Sequence, residues 1–342
     1  MKLTKFAVGA ILALAGVTAQ AGTFDPDGTG PAPAINLGTL DWGPTSFLAL
    51  GGNTAIANFL GTGGTCPAGS CNFSVLTQAR LIGTLDPSGN VNTPLGIAAG
   101  SFEITMISRF TETVTSANVA AGTATFTASH LAPSYLEIYF DSAPNAHDLT
   151  GFGFNDGRLI LTGTLANDPT GIFFVTDPAP VVLDQHGTDD YLGQFTTTGT
   201  GSNTNINVNV TGQDPTFFIQ ALAALGIQFA NISIALPFIS VDPADCFDTA
   251  HGTAIGSTGN LSTCDNVHVL GPYSFQGGPG IIPVTGALNG SFQSGPDFVA
   301  QTDDNSPVTF ATPEPGSLAL VGLGLLGAAL GLRRKDSSAN PA

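Results

Sequence analysis

Three stretches of this chain alternate apolar and polar residues with a period of two. Phe102, Ile104 and Met106 oppose Glu103 and Thr105; Leu136, Ile138 and Phe140 oppose Glu137 and Tyr139; Ile206, Val208 and Val210 oppose Asn205, Asn207 and Asn209. Successive side chains of extended chain point to opposite faces, so the pattern sets one face on a core and the other in water. Further strand candidates are 73–82, 123–127, 158–164, 171–176, 228–236 and 267–275, separated by segments rich in the chain's 44 Gly and 23 Pro. Antiparallel strands between turn signals predict an all-β body, a β-sandwich or jelly-roll-like arrangement.

One short helix is expected inside that body. Asp214 can cap it, Pro215 suits its first position, 217–225 follow without a breaker and Gly226 can close it. It would plug one end of a sandwich or cover an edge. The tripeptide Gly-Thr-Leu recurs at Gly38, Gly83 and Gly163, at irregular spacing, which reads as strand-turn chemistry rather than a repeat architecture. The stretches 22–33 and 193–203 read as loops, and a division near Gly199 into two domains stays open.

Both ends of the chain carry targeting signals. Lys2 and Lys5 precede an apolar stretch from Phe6 to Ala19, and Ala19-Gln20-Ala21 has the small-x-small form that a signal peptidase accepts. Cleavage after Ala21 would start the mature protein at Gly22. At the other end, Pro313-Glu314-Pro315 stands before an apolar run from Leu318 to Leu332 and the basic triplet Arg333-Arg334-Lys335. A Pro-Glu-Pro triplet lacks two backbone donors and resists helix formation, so it stays extended and accessible. The apolar run is short for a bilayer span of about 20 residues, and a buried core helix is the competing reading. Basic residues beside such a run favour the cytoplasmic side, which puts the body on the far side. Within the run, Gly322-Leu323-Gly324-Leu325-Leu326-Gly327 matches a dinucleotide-binding pattern, but no strand precedes it and no acidic residue follows about 20 positions on, so it is set aside.

The order Pro-Glu-Pro, transmembrane helix, basic cluster resembles the PEP-CTERM sorting signal of Gram-negative bacteria over residues 312–335. That resemblance implies handling by an exosortase, a membrane-embedded cysteine protease or transpeptidase at the inner membrane, and cargo of an exopolysaccharide matrix. The expected division is a signal peptide over 1–21, a secreted β-rich body over 22–311, a sorting segment over 312–335 and a tail over 336–342.

Charge narrows the function classes. Between Gly22 and Pro315 there are 24 acidic residues (the chain's 25 less Asp336) against Arg80, Arg109 and Arg158, a formal charge of −21 with no lysine. Nucleic-acid binding rests on neutralising phosphates, so no nucleic-acid partner is expected. Schiff-base chemistry and a Walker-type phosphate loop both need an amine that the body lacks. Divalent cations, by contrast, would be attracted.

Cys66 with Cys71 and Cys246 with Cys264 form two close pairs, most simply two local disulfides in an oxidising exterior, with two other connectivities open. Closing the second loop would contribute about 3 kcal/mol in the chain-entropy model. A zinc site is the alternative, although neither pair has C-x-x-C spacing.

The segment Tyr135-Leu-Glu-Ile-Tyr-Phe-Asp141, followed by an Asn-containing turn and Gly153-Phe-Asn-Asp-Gly157, is the most distinctive part of the body. It resembles the central region of flocculation-associated PEP-CTERM proteins over 102–174. Asn155-Asp156-Gly157 is a turn signal in which Gly takes a positive φ. Asp141, Asp148, Asn155 and Asp156 also offer hard oxygen ligands, a candidate calcium set. Asp25-Pro-Asp27-Gly-Thr-Gly30 begins like a calcium loop but has Asn36 at its twelfth place, and reads as a turn. Asp184, His186, Asp189 and Asp190 cluster as a cation site, an acid/base pair or a solvated loop. His130, His147, His186, His251 and His268 show no H-E-x-x-H spacing, and no G-x-S-x-G elbow is present. Trp42, Tyr135, Tyr139 and Tyr191 could stack on sugar rings or fill the core.

These readings converge on an exported, non-enzymatic protein held at the inner membrane before processing and then at the cell surface or in the matrix. It would act in adhesion, aggregation or flocculation with extracellular polysaccharide as partner and no cofactor beyond calcium. A secreted carbohydrate-binding module is the second reading and a secreted hydrolase the third.

Overall fold

Extended chain dominates the body, and its strands are long enough to be shared between neighbours at different heights. The computed structural model describes residues 22–30, 34–92, 97, 100–118, 123–129, 131, 134–146, 153–166, 172–180, 196–202, 205–233 and 298–311. The chain divides into two units, Gly22–Phe310 and a second made of Met1–Ala21 with Ala311–Ala342; every element below belongs to the first. The strands are β1 (Thr23–Phe24), β2 (Ile35–Asn36), β3 (Thr39–Leu50), β4 (Asn72–Leu85), β5 (Val91–Asn92), β6 (Glu103–Asn118), β7 (Thr123–Ser129), β8 (Tyr135–Asp141), β9 (Arg158–Leu165), β10 (Ile172–Pro180), β11 (Thr196–Ser202), β12 (Asn205–Gln213), β13 (Leu222–Ser233) and β14 (Phe298–Phe310). Helix α1 (Gly52–Gly61) lies between β3 and β4.

The sheet closes on itself, which corrects the sandwich and jelly-roll expectation. The antiparallel order β6-β8-β9-β12-β13-β14-β3-β4 returns to β6, because β4 and β6 pair from Asn72 with Thr113 to Arg80 with Thr105. Eight strands close a barrel-like ring. A second route, β6-β7-β10-β11-β13, spans the same gap higher up. It exists because β6 pairs β8 through Glu103–Arg109 and β7 through Thr111–Asn118, while β13 pairs β12 near Leu225 and β11 near Ile232. Closure removes the exposed edges that an open sheet presents, and two separate facing sheets never form.

The alternation read in the sequence fills the ring. Ile104, Met106, Phe110, Leu136, Ile138, Ile206, Val208, Leu225, Ile227 and Phe229 belong to one buried cluster. Phe110 on β6 meets Phe229 on β13 at 5.8 Å between ring centroids, a contact across the interior, since these strands are not neighbours. One end is stoppered by phenylalanines. Phe24 lies 5.0 Å from Phe218, Phe140 5.0 Å from Phe217, and Phe102 5.2 Å from Phe140. Toward the other end α1 sets Ala55 into the same cluster, with Ile56 and Phe59 packed against it.

The helix expected at 215–225 is absent, and this too is a correction. Asp214 Oδ1 accepts the Thr216 N–H at 3.0 Å, and the Phe217 and Phe218 N–H groups reach the Asp214 carbonyl, but the turn stops there. The Gln213 carboxamide takes over, donating to the carbonyls of Phe218 and Gln220 and accepting the Leu222 N–H at 2.9 Å. With those backbone groups satisfied and Phe217 and Phe218 drawn into the stopper, the Ala-rich run that follows joins β13. Tertiary burial overrides its helix propensity. The helix that forms, α1, starts at Gly51 with no side-chain cap, so its sequence carried no start signal.

Two glycines of the Gly-Thr-Leu triplets are fixed by close approach. A Cβ on Gly38 would lie 2.6 Å from the Asp86 carbonyl oxygen, and one on Gly163 2.5 Å from Val208 Cγ1.

Polar groups inside the ring are mostly paired. Trp42 Nε1 donates to Ser306 Oγ at 2.9 Å, and the Thr77 and Ser108 hydroxyls meet at 2.7 Å. Burial strongly raises the proton affinity of two carboxyls. Burial, with the nearby Asp303 charge, pushes Asp304 well above the usual carboxylate range, and burial alone raises Glu112 to about 8. Glu112 shares the inward face of β6 with Phe110 and Val114, and its Oε2 makes no hydrogen bond among the described residues. The unfolded chain releases this proton near its ordinary value of 4.5, whereas the folded chain holds it to about 8. Stability from this group is therefore complete below pH 4.5 and is lost as pH rises towards 8, by several kcal/mol, since a tenfold change in proton affinity is worth about 1.4 kcal/mol. Glu112→Gln is expected to melt higher than the natural protein at pH 8, with the gain shrinking toward pH 4; melting curves across that range check it.

Candidate functional site

The loop joining β8 to β9 is built on a buried carboxylate that the alternation alone did not single out. Glu103, at the start of β6, sits opposite Asp141 at the end of β8. Its Oε1 accepts the backbone N–H groups of Asn145 and Ala146 at 2.6 and 2.9 Å. Burial raises its proton affinity, and those two N–H groups hold it back. On the far side of the loop the Asn145 side chain donates to Asp156 Oδ2 at 3.0 Å, and the Phe154 carbonyl accepts the Thr105 hydroxyl at 2.8 Å.

Three of the four candidate calcium ligands fall on this loop. Asp141 Oδ1 caps the turn by accepting the Ala143 N–H at 2.8 Å, Asp156 holds Asn145, and Asn155 is half-buried with an Nδ2 that makes no hydrogen bond among the described residues. Asp148 lies outside the described residues. Among those residues no three His, Cys, Asp or Glu side chains are placed to hold a metal ion. The turn expected at Asn155-Asp156-Gly157 is present in altered form. The positive φ falls on Gly153, at 80°, and Gly157 is required because a Cβ there would lie 2.5 Å from the Phe140 carbonyl oxygen.

The Asp25 loop is a turn closed by its own backbone, as expected. Asp25 accepts the N–H groups of Asp27 and Gly30 at 3.3 and 2.9 Å, and Asp27 accepts both the N–H and the hydroxyl of Thr29. Burial raises the Asp25 pKa, whereas the Thr29 hydroxyl lowers that of Asp27. Every lone pair these groups commit to the loop is one less for a cation.

The aromatic candidates divide the same way. Trp42, Tyr135 and Tyr139 are buried, and the Tyr139 hydroxyl donates to Glu137 Oε2 at 2.5 Å. The exposed large apolar side chains among the described residues are aliphatic: Leu60, Val91, Leu131, Leu159 and Ile219. A groove of about 440 Å³ runs along Leu159–Thr162 and Gly212–Pro215. Its lining holds one carboxylate, Asp214, which pairs with Arg158 and accepts the Thr216 hydroxyl. Burial works against the charged form of Asp214, but those partners hold its pKa below the ordinary value.

The first clasp forms as read: Cys66 and Cys71 are bonded, with Cα atoms 5.4 Å apart. It ties off the segment after α1, where Asn58 Nδ2 also donates to the Ser70 carbonyl at 2.7 Å. Cys246 and Cys264, the cluster Asp184 to Asp190, Tyr191, all five histidines, Ala19 and Ala21 lie outside the described residues.

The sorting residues Pro313, Glu314, Pro315, Arg333, Arg334 and Lys335 also lie outside them, and so does the expected membrane helix; no helix of the described residues is long and apolar enough to cross a bilayer. What the structure shows is where they attach. β14 pairs with β13 through Leu222 and Phe310, its last residue, and with β3 through nine further pairs; Ala311 beyond it is exposed. Residues 311–335 match the family model of the PEP-CTERM protein-sorting motif. The chain thus carries a PEP-CTERM sorting motif, which implies an exported protein, made as a membrane-anchored precursor and recognised by an exosortase. No curated protein and no solved structure matches it.

Two outcomes follow from the junction at Phe310. A chain ending at Ala311 should melt within about 1 °C of the full body, because no ladder bond is lost, whereas one ending before Phe298 should not fold, because the ring is opened; circular dichroism melts distinguish them. Replacing Pro313, Glu314 and Pro315 with alanine should leave precursor at the membrane, read by fractionation and blotting.

Proposed function

We propose that this chain is a non-enzymatic component of the cell surface or extracellular matrix, acting in adhesion, aggregation or flocculation together with exopolysaccharide. The sorting motif at 311–335, placed directly after the last strand of a closed barrel, carries the reading: the body is a finished module from which a membrane tether can be taken away. The aromatic side chains that a sugar-binding platform would expose are buried at Trp42, Tyr135 and Tyr139, which favours a scaffold over a carbohydrate-binding module. The groove on β9 and β12 offers a single, already paired carboxylate, whereas acid/base hydrolysis of a glycan uses two, about 5 to 10 Å apart.

At a formal −21 with no lysine, neighbouring copies repel one another. Divalent ions bridging carboxylates, or a polysaccharide laid between copies, offset that repulsion. Deleting the protein is expected to weaken cell aggregation without removing any hydrolytic activity, and a calcium chelator should mimic the loss. Normal flocculation in the deletion strain, or turnover of a glycan by purified protein, would overturn the proposal.

A further inference from the structure

We propose that the outer face of β9 and β12 binds a hydroxyl-rich glycan chain, a proposal that rests on the matrix reading above and gives that reading its contact surface.

The groove lies where the ladder between these strands is irregular. β12 pairs β9 from Val208 with Leu165 to Gln213 with Leu161, and the register slips between Val210 and Gly212, so Thr211 is the extra residue of a bulge. Gly212 lets the strands keep their approach there, since a Cβ on it would lie 2.8 Å from Thr162 Cγ2. At about 440 Å³ the groove falls within the range of about 300 to 1,000 Å³ usual for small-ligand sites. Leu159, 43% exposed, and the exposed Pro215 line it, which offers apolar surface to the C–H face of a sugar ring.

Beyond the groove the same face carries uncharged polar groups. Ile206 and Val208 belong to the core, and the alternation turns Asn207 and Asn209 outward; both are exposed, as are Thr211 and Thr164, the partner of Asn209 on β9. A carboxamide and a hydroxyl each donate and accept, as the hydroxyls of a sugar do. Thr211 Oγ1 donates to the Thr162 carbonyl at 3.2 Å, which leaves its oxygen to accept. Same-face neighbours on a strand stand about 7 Å apart, so the row from Asn207 to Thr211 runs roughly 13 Å and suits a linear chain.

Charge selects the same occupant. Asp214, the carboxylate in the groove lining, is held by Arg158. On a body of formal −21, a neutral or uronate-bearing chain therefore reaches this face without meeting an unpaired carboxylate there. Aliphatic walls in place of an aromatic platform make each contact weak, and many copies along one polysaccharide supply the avidity that a scaffold needs.

The test measures binding of the full chain in detergent, with calcium and with EDTA, to immobilised exopolysaccharide of the producing cells freed of protein. The natural chain should bind in both buffers. Leu159→Asp, Asn209→Asp and Thr211→Val should each weaken binding at least fivefold; the last two change exposed side chains at nearly constant volume, so circular dichroism melts should stay as they are. Leu131→Asp, the same charge on an exposed leucine elsewhere, should bind as the natural chain does. Binding that survives all three substitutions, or that disappears in EDTA, would overturn the glycan face and leave the matrix reading standing. No binding in either buffer would overturn both. A natural chain that sediments as a dimer, with Leu159→Asp a monomer, would assign the face to a second copy and overturn the proposal.

Discussion

The pairing of β4 with β6 is the constraint on which the body depends. From Asn72 with Thr113 to Arg80 with Thr105 it joins two strands that would otherwise be the open ends of a long sheet. Without it, both flanks would present rows of unpaired backbone donors and acceptors in a protein whose task, on the proposed reading, is to live crowded among copies of itself. Closed, the ring has an inside, and that inside decides the fate of side chains as different as Phe229, Trp42 and Glu112.

The interior is not uniformly oily. Asp304 stands in register with Trp42 and Phe229, and Glu112 with Phe73 and Ala128, so the cross-strand neighbours of each acid are aromatic or apolar. A buried carboxyl kept protonated costs far less than a buried charge. The barrel is therefore best suited to neutral or mildly acidic surroundings.

Alternation made the β class legible, because period two is a local property of each strand. β4, β6, β7, β8, β9, β10, β12 and part of β13 all overlap runs read from the sequence. The ring was not legible, since a sandwich needs the same alternation and closure is decided by which distant strands meet. β3 and β14 escaped notice for a more particular reason. β3 contains Gly43 and Pro44, and β14 sets Thr302, Asp304 and Ser306 among its buried residues where an apolar rhythm was sought. The 215–225 helix was misread because two adjacent phenylalanines, Phe217 and Phe218, are wanted by the stopper, and nothing within the segment announces that. Of the candidate site, the clasp at Cys66 and Cys71 and the turn at Asp25 were readable from spacing alone. Glu103 was visible only as a polar member of an alternating strand; its work, holding the 145–146 backbone, depends on a loop 42 residues away.

One consequence of the ring concerns time rather than space. The first long strand, β3, lies between β4 and β14, and the Trp42 to Ser306 hydrogen bond spans 264 residues. A chain threaded through a membrane from its N-terminus delivers β3 early and β14 last. For most of its passage it is an open sheet with a vacant seat beside β3, and it cannot shut until the strand next to the sorting segment has come through. Contacts so distant in sequence are slow to form from a free coil. A C-terminus still held at the bilayer keeps β14 close to the rest of the emerging chain, so the tether that is later discarded also shortens the search by which the barrel completes itself.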